Sequence, residues 1–298
     1  MNEFYTDYAE YLDRFFPGRK VQKISVNTGA GCPNRDGTIG RGGCIYCNNR
    51  SFTPPYCFDK TDLMDQIEAG KNFFRRKYKE MLFLVYFQSY TGTHNADIEA
   101  LTRNYQTAME TEGVGGIVVS TRPDSLPDEV LGLLKELNRE KPVFVEIGVE
   151  TLHDRTLRTI NRGHDSSQAL ATIERLGKAG LHTGVHLIAG LPGENEEMML
   201  DTIKRVSATD VESIKMHHLQ VLKNTPLHTK ILNNELKIIP WELEDYLDFC
   251  VKAVDIIPRR TAIERFLASS PPEMVVAPKW GIKNYEFTNL LLNKLRKR

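Results

Sequence analysis

A regular alternation between strand-like and helix-like segments extends from residue 21 to residue 221, and it constrains the fold of this 298-residue chain more than any other feature. Met81 to Phe87, for example, is a continuous apolar run, which is typical of a strand covered by helices on both faces. The alternation predicts six strands, at residues 21–28, 81–87, 116–120, 143–149, 183–189 and 214–221. Because parallel neighbours need a crossover between them, six such units predict a parallel sheet.

The segments between these strands carry apolar residues at helical spacing. They predict helices at residues 61–78 (with Thr61 as its N-cap), 96–111, 127–139, 166–179 and 194–207. Right-handed crossovers curl such a series toward a barrel whose functional groups lie at the carboxyl ends of the strands. We therefore predict an α/β fold, a partial (β/α)6 TIM-like barrel, over residues 21–239.

Both ends of the chain depart from the alternation. Residues 1–20 carry aromatic residues and a leucine at near-helical intervals before Pro17-Gly18, which predicts an N-terminal helix packed on the body. Beyond residue 240 the order changes to a helix at 241–257, a short segment at 262–267 and a final helix through residue 298. Residues 240–298 are thus predicted to form a short α+β C-terminal extension that packs on the barrel.

The charge balance limits the classes of partner. Lys+Arg and Asp+Glu each total 39, so no global positive field attracts a polyanion, and RNA binding would depend on local basic clusters such as residues 73–79 and 294–298. No apolar run is long enough to cross a membrane, and the N-terminus has no basic segment followed by an apolar one. We expect a cytoplasmic protein with no membrane partner.

Three of the five cysteines, Cys32, Cys44 and Cys47, lie in one glycine-rich loop after the first predicted strand. Thiolates suit iron–sulfur clusters and zinc, and glycines let the backbone fold tightly around metal-bound sulfur. Spacing alone leaves both metals open. The zinc alternative is a non-enzymatic, zinc-stabilised binding module in which Cys57 supplies a fourth ligand.

Polar residues also end the other predicted strands or follow them directly. They include Gln88, Ser89, Ser120, Glu150, His186 and the segment at 190–194. Because the carboxyl ends of parallel strands meet at one edge, these residues should surround a common site with the cysteine loop. Glu146 shares a strand face with Glu150, so it is either a site residue or a buried ion-pair partner.

The cysteine loop and these strand ends resemble the radical S-adenosylmethionine (SAM) superfamily. They are most similar to its YhcC-type branch, which is related to the radical domain of the Elongator catalytic subunit. The resemblance implies that Cys32, Cys44 and Cys47 bind three irons of a [4Fe-4S] cluster and that SAM chelates the fourth. It also implies that Tyr46, the aromatic residue before the last cysteine, packs against the adenine of SAM.

Further SAM-binding positions follow from the same resemblance. It implies that Glu150 contacts the ribose, that Arg162 binds the methionine carboxylate, and that His186 takes the place of a ribose-binding Asp. The similar segments are residues 148–150, 161–164 and 186–194.

The resemblance is weaker on the second and third strands. Ser120 matches an acidic position of the third strand in the superfamily. Gln88 and Ser89 stand where the superfamily has a Gly-Gly-Glu motif that holds the SAM amino group, so this sequence departs from the pattern there. Hydroxyl and amide oxygens of this loop are the acceptors that an ammonium group needs.

The implied mechanism is one-electron cleavage of SAM to methionine and a 5′-deoxyadenosyl radical, which abstracts hydrogen from the substrate. It requires a cytosolic electron donor such as a flavodoxin or ferredoxin. Because the Elongator-related branch acts on the wobble uridine of tRNA, the resemblance implies tRNA as a partner. An alternative is radical chemistry on a small metabolite or cofactor precursor, which a net charge of zero suits equally well.

Overall fold

The computed structural model describes residues 2–60, 62–75, 80–94 and 97–298. Some predictions fall outside these ranges: Thr61 as an N-cap, the end of the helix at 61–78 and the first residue of the helix at 96–111. The basic cluster at 73–79 is described only as far as Arg75.

Seven parallel strands form one sheet, and its first six strands follow chain order. They are β1 (Val21–Val26), β2 (Leu82–Phe87), β3 (Val114–Thr121), β4 (Val143–Glu150), β5 (His182–Ala189) and β6 (Ser213–His218). The run predicted at 214–221 divides into β6 and a separate strand, β7 (Val221–Leu222). The seventh strand of the sheet, β8 (Ala262–Arg265), pairs with β6, whereas β7 pairs antiparallel with β9 (Val275–Ala277).

Helices connect the strands and pack on the sheet through their apolar sides. They are α1 (Tyr8–Asp13), α2 (Pro33–Asp36), α3 (Leu63–Arg75), α4 (Ile98–Glu110), α5 (Asp128–Leu137), α6 (Asp154–Thr159), α7 (Ser166–Lys178), α8 (Glu196–Ser207), α9 (Pro226–Leu232), α10 (Leu243–Ile256) and α11 (Asn284–Arg296). In α5, Val130, Leu134 and Leu137 recur at intervals of four and three residues, and all three are buried. This spacing places one apolar stripe against the sheet.

The sheet is open at its edges but strongly curled. β1 and β8 are its two edges, yet Lys23 Nζ on β1 lies 2.6 Å from Glu264 Oε2 on β8. At the outer side of β8, Asp7 forms a parallel bridge with Ile263, so the N-terminal segment covers that edge. The predicted partial barrel is confirmed, with one strand more than expected. The domain division at residue 240 stays a prediction.

The interior of the half-barrel contains a buried network of charged groups beneath the carboxyl ends of the strands. Glu146 contacts Lys23 and, at 3.0 Å, Lys215, and it accepts a hydrogen bond of 2.6 Å from Tyr86 Oη. Lys215 also lies 3.0 Å from Glu264. Burial alone would raise the pKa of Glu146, but Lys215 and Lys23 hold it well below its ordinary value. The network therefore balances two carboxylates against two ammonium groups.

Removing the charge of Glu146 should strongly destabilise the fold. The variant E146Q leaves Lys215 and Lys23 buried with one carboxylate between them, and an uncompensated buried charge costs about 3 to 5 kcal/mol. Denaturant titration of the purified variant would measure this loss in the free energy of unfolding.

A matched surface substitution provides the control. In E136Q the same chemical change removes an ion pair with Arg139 in which both side chains are more than half exposed, so stability should hardly change. Equal stabilities of E146Q and E136Q would contradict the assignment of a buried, balanced network.

Candidate active site

A cavity of about 220 Å3 opens at the carboxyl ends of the strands. Nine of the ten residues predicted for the site line it: Cys32, Cys44, Tyr46, Cys47, Gln88, Ser120, Glu150, Arg162 and His186. They come from the cysteine loop, from β3, β4 and β5, and from the segments that follow β2 and α6. The topology of the sheet therefore brings together side chains that are far apart in the sequence.

The cysteine loop is held in place by the turn between α6 and α7. Asn161 Nδ2 donates to the Gly43 carbonyl oxygen at 2.9 Å, and the amide of Ile45 donates to the Ile160 carbonyl oxygen at 3.0 Å. Asn34, in the short helix after Cys32, donates its side-chain amide to the Asn161 carbonyl oxygen. These contacts fix the backbone around Cys44 although the loop itself has little regular structure.

Nitrogen donors surround the sulfur of Cys44. Arg162 Nη1 lies 3.4 Å from this Sγ, Asn34 Nδ2 lies 3.7 Å from it and Arg122 Nη1 lies 3.9 Å from it. Nearby, burial and then Cys44 raise the pKa of the Cys47 thiol to about 11. Cationic and amide donors stabilise a thiolate, and metal ligands must be thiolates, so this donor set suits metal-bound sulfur.

Arg162 also connects the cysteine loop to β4. Its Nη2 donates to the Gly148 carbonyl oxygen at 2.6 Å and lies 3.2 Å from Glu150 Oε1. Its Nε contacts His164 at 3.1 Å, and burial and then Arg162 lower the pKa of His164 to about 3. A Cβ atom on Gly148 would lie 2.4 Å from Arg162 Nη2 and 2.9 Å from Glu150 Oε1, so any other residue there would force these side-chain ends to move.

Glu150, which lines the cavity, lies where β4 is irregular. The pairing of β4 with β5 shifts between Gly148 and Glu150, and Glu150 has a left-handed backbone with φ of +67°. Such a conformation costs about 1 to 3 kcal/mol for a residue other than glycine and is concentrated at functional sites. Simple alternation along the strand does not predict this bulge.

His186 joins the cavity to the buried charge network. Its Nε2 lies 2.5 Å from Glu146 Oε2, whereas Glu146 is not among the residues that line the cavity. Burial and then Lys215 lower the pKa of His186, so this imidazole is neutral near pH 7. Of the two alternatives predicted for Glu146, the structure supports the buried ion-pair partner, with a contact to a site residue.

Two residues considered from the sequence, Ser89 and Cys57, lie outside the cavity, and so does the fifth cysteine, Cys250. The Ser89 hydroxyl is 3.1 Å from Asn49 Nδ2 and is not among the lining residues. Cys57 Sγ donates to the Ser25 carbonyl oxygen at 3.4 Å, and Cys250 is completely buried. Because the Cys57 thiol donates to a backbone carbonyl oxygen and does not line the cavity, it does not join the three loop cysteines as a fourth ligand.

Several residues that line the cavity each have one buried polar atom without a hydrogen-bond partner among the described residues. The atoms are Tyr46 Oη, Thr91 Oγ1, Arg35 Nε, Gln220 Oε1 and Arg265 Nε. An unpaired buried polar group costs about 1 to 3 kcal/mol, so these atoms indicate a cavity built for a polar ligand. Neither Gln220 nor Arg265 was predicted as a site residue. Gln220 lies near the end of the last predicted strand, and Arg265 lies beyond the strand–helix alternation.

Comparison with known protein families identifies the superfamily. Residues 26–206 match the model of the Radical SAM superfamily, and residues 211–297 match that of the Radical_SAM C-terminal domain. This chain belongs to the radical SAM superfamily. Members of this superfamily use a [4Fe-4S] cluster and SAM, and this protein is accordingly a radical SAM enzyme. The alternative of a non-enzymatic zinc-stabilised module is wrong.

Individual relatives agree with this assignment. The chain is 35% identical to the uncharacterized protein YtqA of Bacillus subtilis (strain 168), covering 94% of this chain and 86% of that protein. It is 38% identical to YhcC of Escherichia coli (strain K12), covering 88% and 83%. Its fold is similar to that of the archaeal Elp3 of Methanocaldococcus infernus, with a TM-score of 0.70 and 17% identity over 94% of this chain and 63% of the other.

The residues at the cavity fit these cofactors. Three cysteines in one anchored loop, donors around Cys44 and unpaired polar atoms supply the chemistry that an iron–sulfur cluster and a charged nucleoside ligand require.

No helix within the described residues is both long and apolar enough to cross a membrane.

Replacing any one of the three loop cysteines with Ala should remove most of the iron and sulfide that the protein retains after anaerobic reconstitution. The variant C57A should retain as much iron and sulfide as the wild type. In the wild type the Cys57 thiol donates a hydrogen bond to the Ser25 carbonyl oxygen, and Cys57 does not line the cavity. Iron and acid-labile sulfide analysis would measure both. Loss of the cluster in C57A, or its retention in C44A, would contradict this ligand set.

Proposed function

We propose that this radical SAM enzyme modifies the wobble uridine of tRNA. The observation that carries the proposal is similarity to the tRNA uridine(34) acetyltransferase of Methanocaldococcus infernus, 23% identity over 185 residues. The match covers 61% of this chain but only 33% of that relative. Because two thirds of the relative have no counterpart here, acetyl transfer is not carried over, and we propose a different modification of the same nucleoside.

The basic clusters contribute less support than their sequences suggest. In the C-terminal cluster, Lys294 contacts Glu244 and Asp248, and Arg298 contacts Asp255. Acidic neighbours thus offset much of the positive charge that phosphate groups would need. The proposal of a tRNA substrate therefore rests on the relatives rather than on a basic face.

Within this function, we assign the cluster to Cys32, Cys44 and Cys47. The Arg162 guanidinium and the Asn34 amide would hold negative charge at the Cys44 sulfur, which lies 3.4 Å and 3.7 Å from them. When bound, the cluster supplies the electron that cleaves SAM and so begins hydrogen abstraction from the substrate. The protein contributes binding, orientation and the exclusion of competing donors.

We assign SAM to the residues of the same cavity. Tyr46 would pack on the adenine, Glu150 would accept hydrogen bonds from the ribose hydroxyls, and Arg162 would bind the carboxylate. The further proposed contacts are Gln88, Ser120 and His186. Ser89 is left out of this set because it does not line the cavity.

The contact with Glu146 determines how His186 can act. An ionised carboxylate only accepts hydrogen bonds, so the proton of the neutral imidazole lies on Nε2, 2.5 Å from Glu146. Nδ1 is then an acceptor, which suits a hydroxyl group of the ligand. We further propose that a flavodoxin or ferredoxin supplies the electron and that the enzyme works in the cytoplasm.

Nucleoside analysis tests the proposed substrate. Total tRNA from a strain that lacks this gene should lose a modified wobble uridine or accumulate its precursor, as detected by mass spectrometry. The wild-type gene should restore the modification and the C44A variant should not. An unaltered nucleoside profile would overturn the tRNA function and favour a small metabolite or cofactor precursor as the substrate.

A further inference from the structure

The ends of β6 and β8 line a part of the cavity to which the cysteine loop and β4 do not contribute. The residues of this part are His217, His218, Leu219, Gln220, Arg265 and the loop at 268–270. The loop is anchored, because the Ala268 amide donates to His218 Nδ1 at 3.4 Å and the His218 ring stacks on Trp280 at 4.5 Å. These contacts hold this side of the cavity in place, and it is called the wall below.

Arg265 is the cationic side chain of this wall, and no carboxylate of the described residues lies within ion-pair distance of it. Its Nη2 is 3.5 Å from His217 Nε2, and its Nε is buried without a hydrogen-bond partner. Burial and then Arg265 hold the pKa of His217 well below its ordinary value, and an imidazole supplies no negative charge to balance the guanidinium. A guanidinium placed this way lacks the anion that usually accompanies it.

Two of the other arginines of the cavity have a carboxylate partner. Arg122 lies 2.5 Å from Asp124, and Arg162 lies 3.2 Å from Glu150. Arg35 donates to the Cys47 carbonyl oxygen at 3.0 Å and lies over the Tyr90 ring. Arg35, whose Nε is also unpaired, lies on the side of the cysteine loop, so Arg265 is the guanidinium without a carboxylate partner on the side formed by β6 and β8.

Gln220 requires a hydrogen-bond donor, whereas Arg265 requires an anion. Its Oε1 is buried and has no donor within the described part of the chain, so it needs an N–H or O–H group. A ligand that satisfies this wall carries both an anionic oxygen group and a nearby hydrogen-bond donor. A water molecule could pair with Gln220 but would leave the charge of Arg265 uncompensated.

We propose that the wall formed by β6 and β8 is the substrate subsite, in which Arg265 binds a phosphate or carboxylate of the substrate and Gln220 accepts a hydrogen bond from it. The inference rests on the proposed function in that the ligand is taken to be the substrate, and a uridine nucleotide has the required groups. Guanidinium binds either anion through two parallel hydrogen bonds, which makes the interaction directional.

Three pyrimidine probes separate the two sources of negative charge. Uridine 5′-monophosphate carries a phosphate, orotate carries a carboxylate, and uridine carries neither. We would titrate each into the full-length, cluster-reconstituted protein at saturating SAM and fixed ionic strength, by calorimetry. The wild type should bind at least one anionic probe about tenfold more tightly than uridine, as expected for a charge-assisted contact.

The variant R265Q should abolish that preference, with little effect on iron content or on SAM affinity. R103Q is the control, because Arg103 is an exposed residue of α4 that pairs with Glu99 at the surface. It should bind every probe like the wild type. Preference for the monophosphate identifies a phosphate subsite, and preference for orotate identifies a carboxylate subsite.

Two results would overturn the proposal: neither anion binds more tightly than uridine, or R265Q retains the wild-type preference. A misfolded variant would also lose its iron and its affinity for SAM. Iron content and SAM affinity therefore distinguish misfolding from loss of the subsite. Arg265-dependent anion binding together with an unaltered tRNA nucleoside profile would support the subsite while refuting the tRNA function.

Discussion

The contacts of one guanidinium, that of Arg162, connect the parts of the active site. It lies 3.4 Å from the Cys44 sulfur and 3.2 Å from the Glu150 carboxylate, and it donates to the Gly148 carbonyl oxygen. The cysteine loop follows β1, whereas Gly148 and Glu150 end β4, so this side chain spans two strand ends. A single cation thereby links the proposed cluster ligands to the proposed SAM contacts, and its orientation depends on the absence of a side chain at residue 148.

The site is supported from below by buried charge rather than by apolar packing. Glu146, Glu264, Lys23 and Lys215 balance one another inside the half-barrel, and Glu146 contacts His186 at the floor of the cavity. Buried ion pairs contribute little net stability compared with apolar packing, but breaking one is costly. The network therefore restricts His186 to one protonation state and one orientation, which suits a residue that must meet a ligand.

Strong periodicity made most of the fold predictable. Continuous apolar runs such as Leu82–Phe87 identify strands without tertiary information, and their order predicts a cavity at the carboxyl edge. Three features were not predictable. β8 is only four residues long, so it carries no clear alternation, and its parallel pairing with β6 depends on the curl of the sheet. The irregularity at Glu150 depends on local backbone geometry that the residue pattern does not reveal. Arg265 belongs to β8, so its place in the cavity could not be predicted without that strand.

The link between the cysteine loop and the end of β4 depends most directly on the narrow space beside Gly148. Binding of SAM to the cluster-reconstituted variant G148A tests it, because an added Cβ would displace Arg162 and Glu150 together. The affinity should fall by about tenfold or more, the usual effect of losing a hydrogen bond to a charged group. G132A, on the exposed side of α5 where an added Cβ meets nothing within 4 Å, should bind SAM like the wild type. Equal SAM affinities of G148A and G132A would contradict the account.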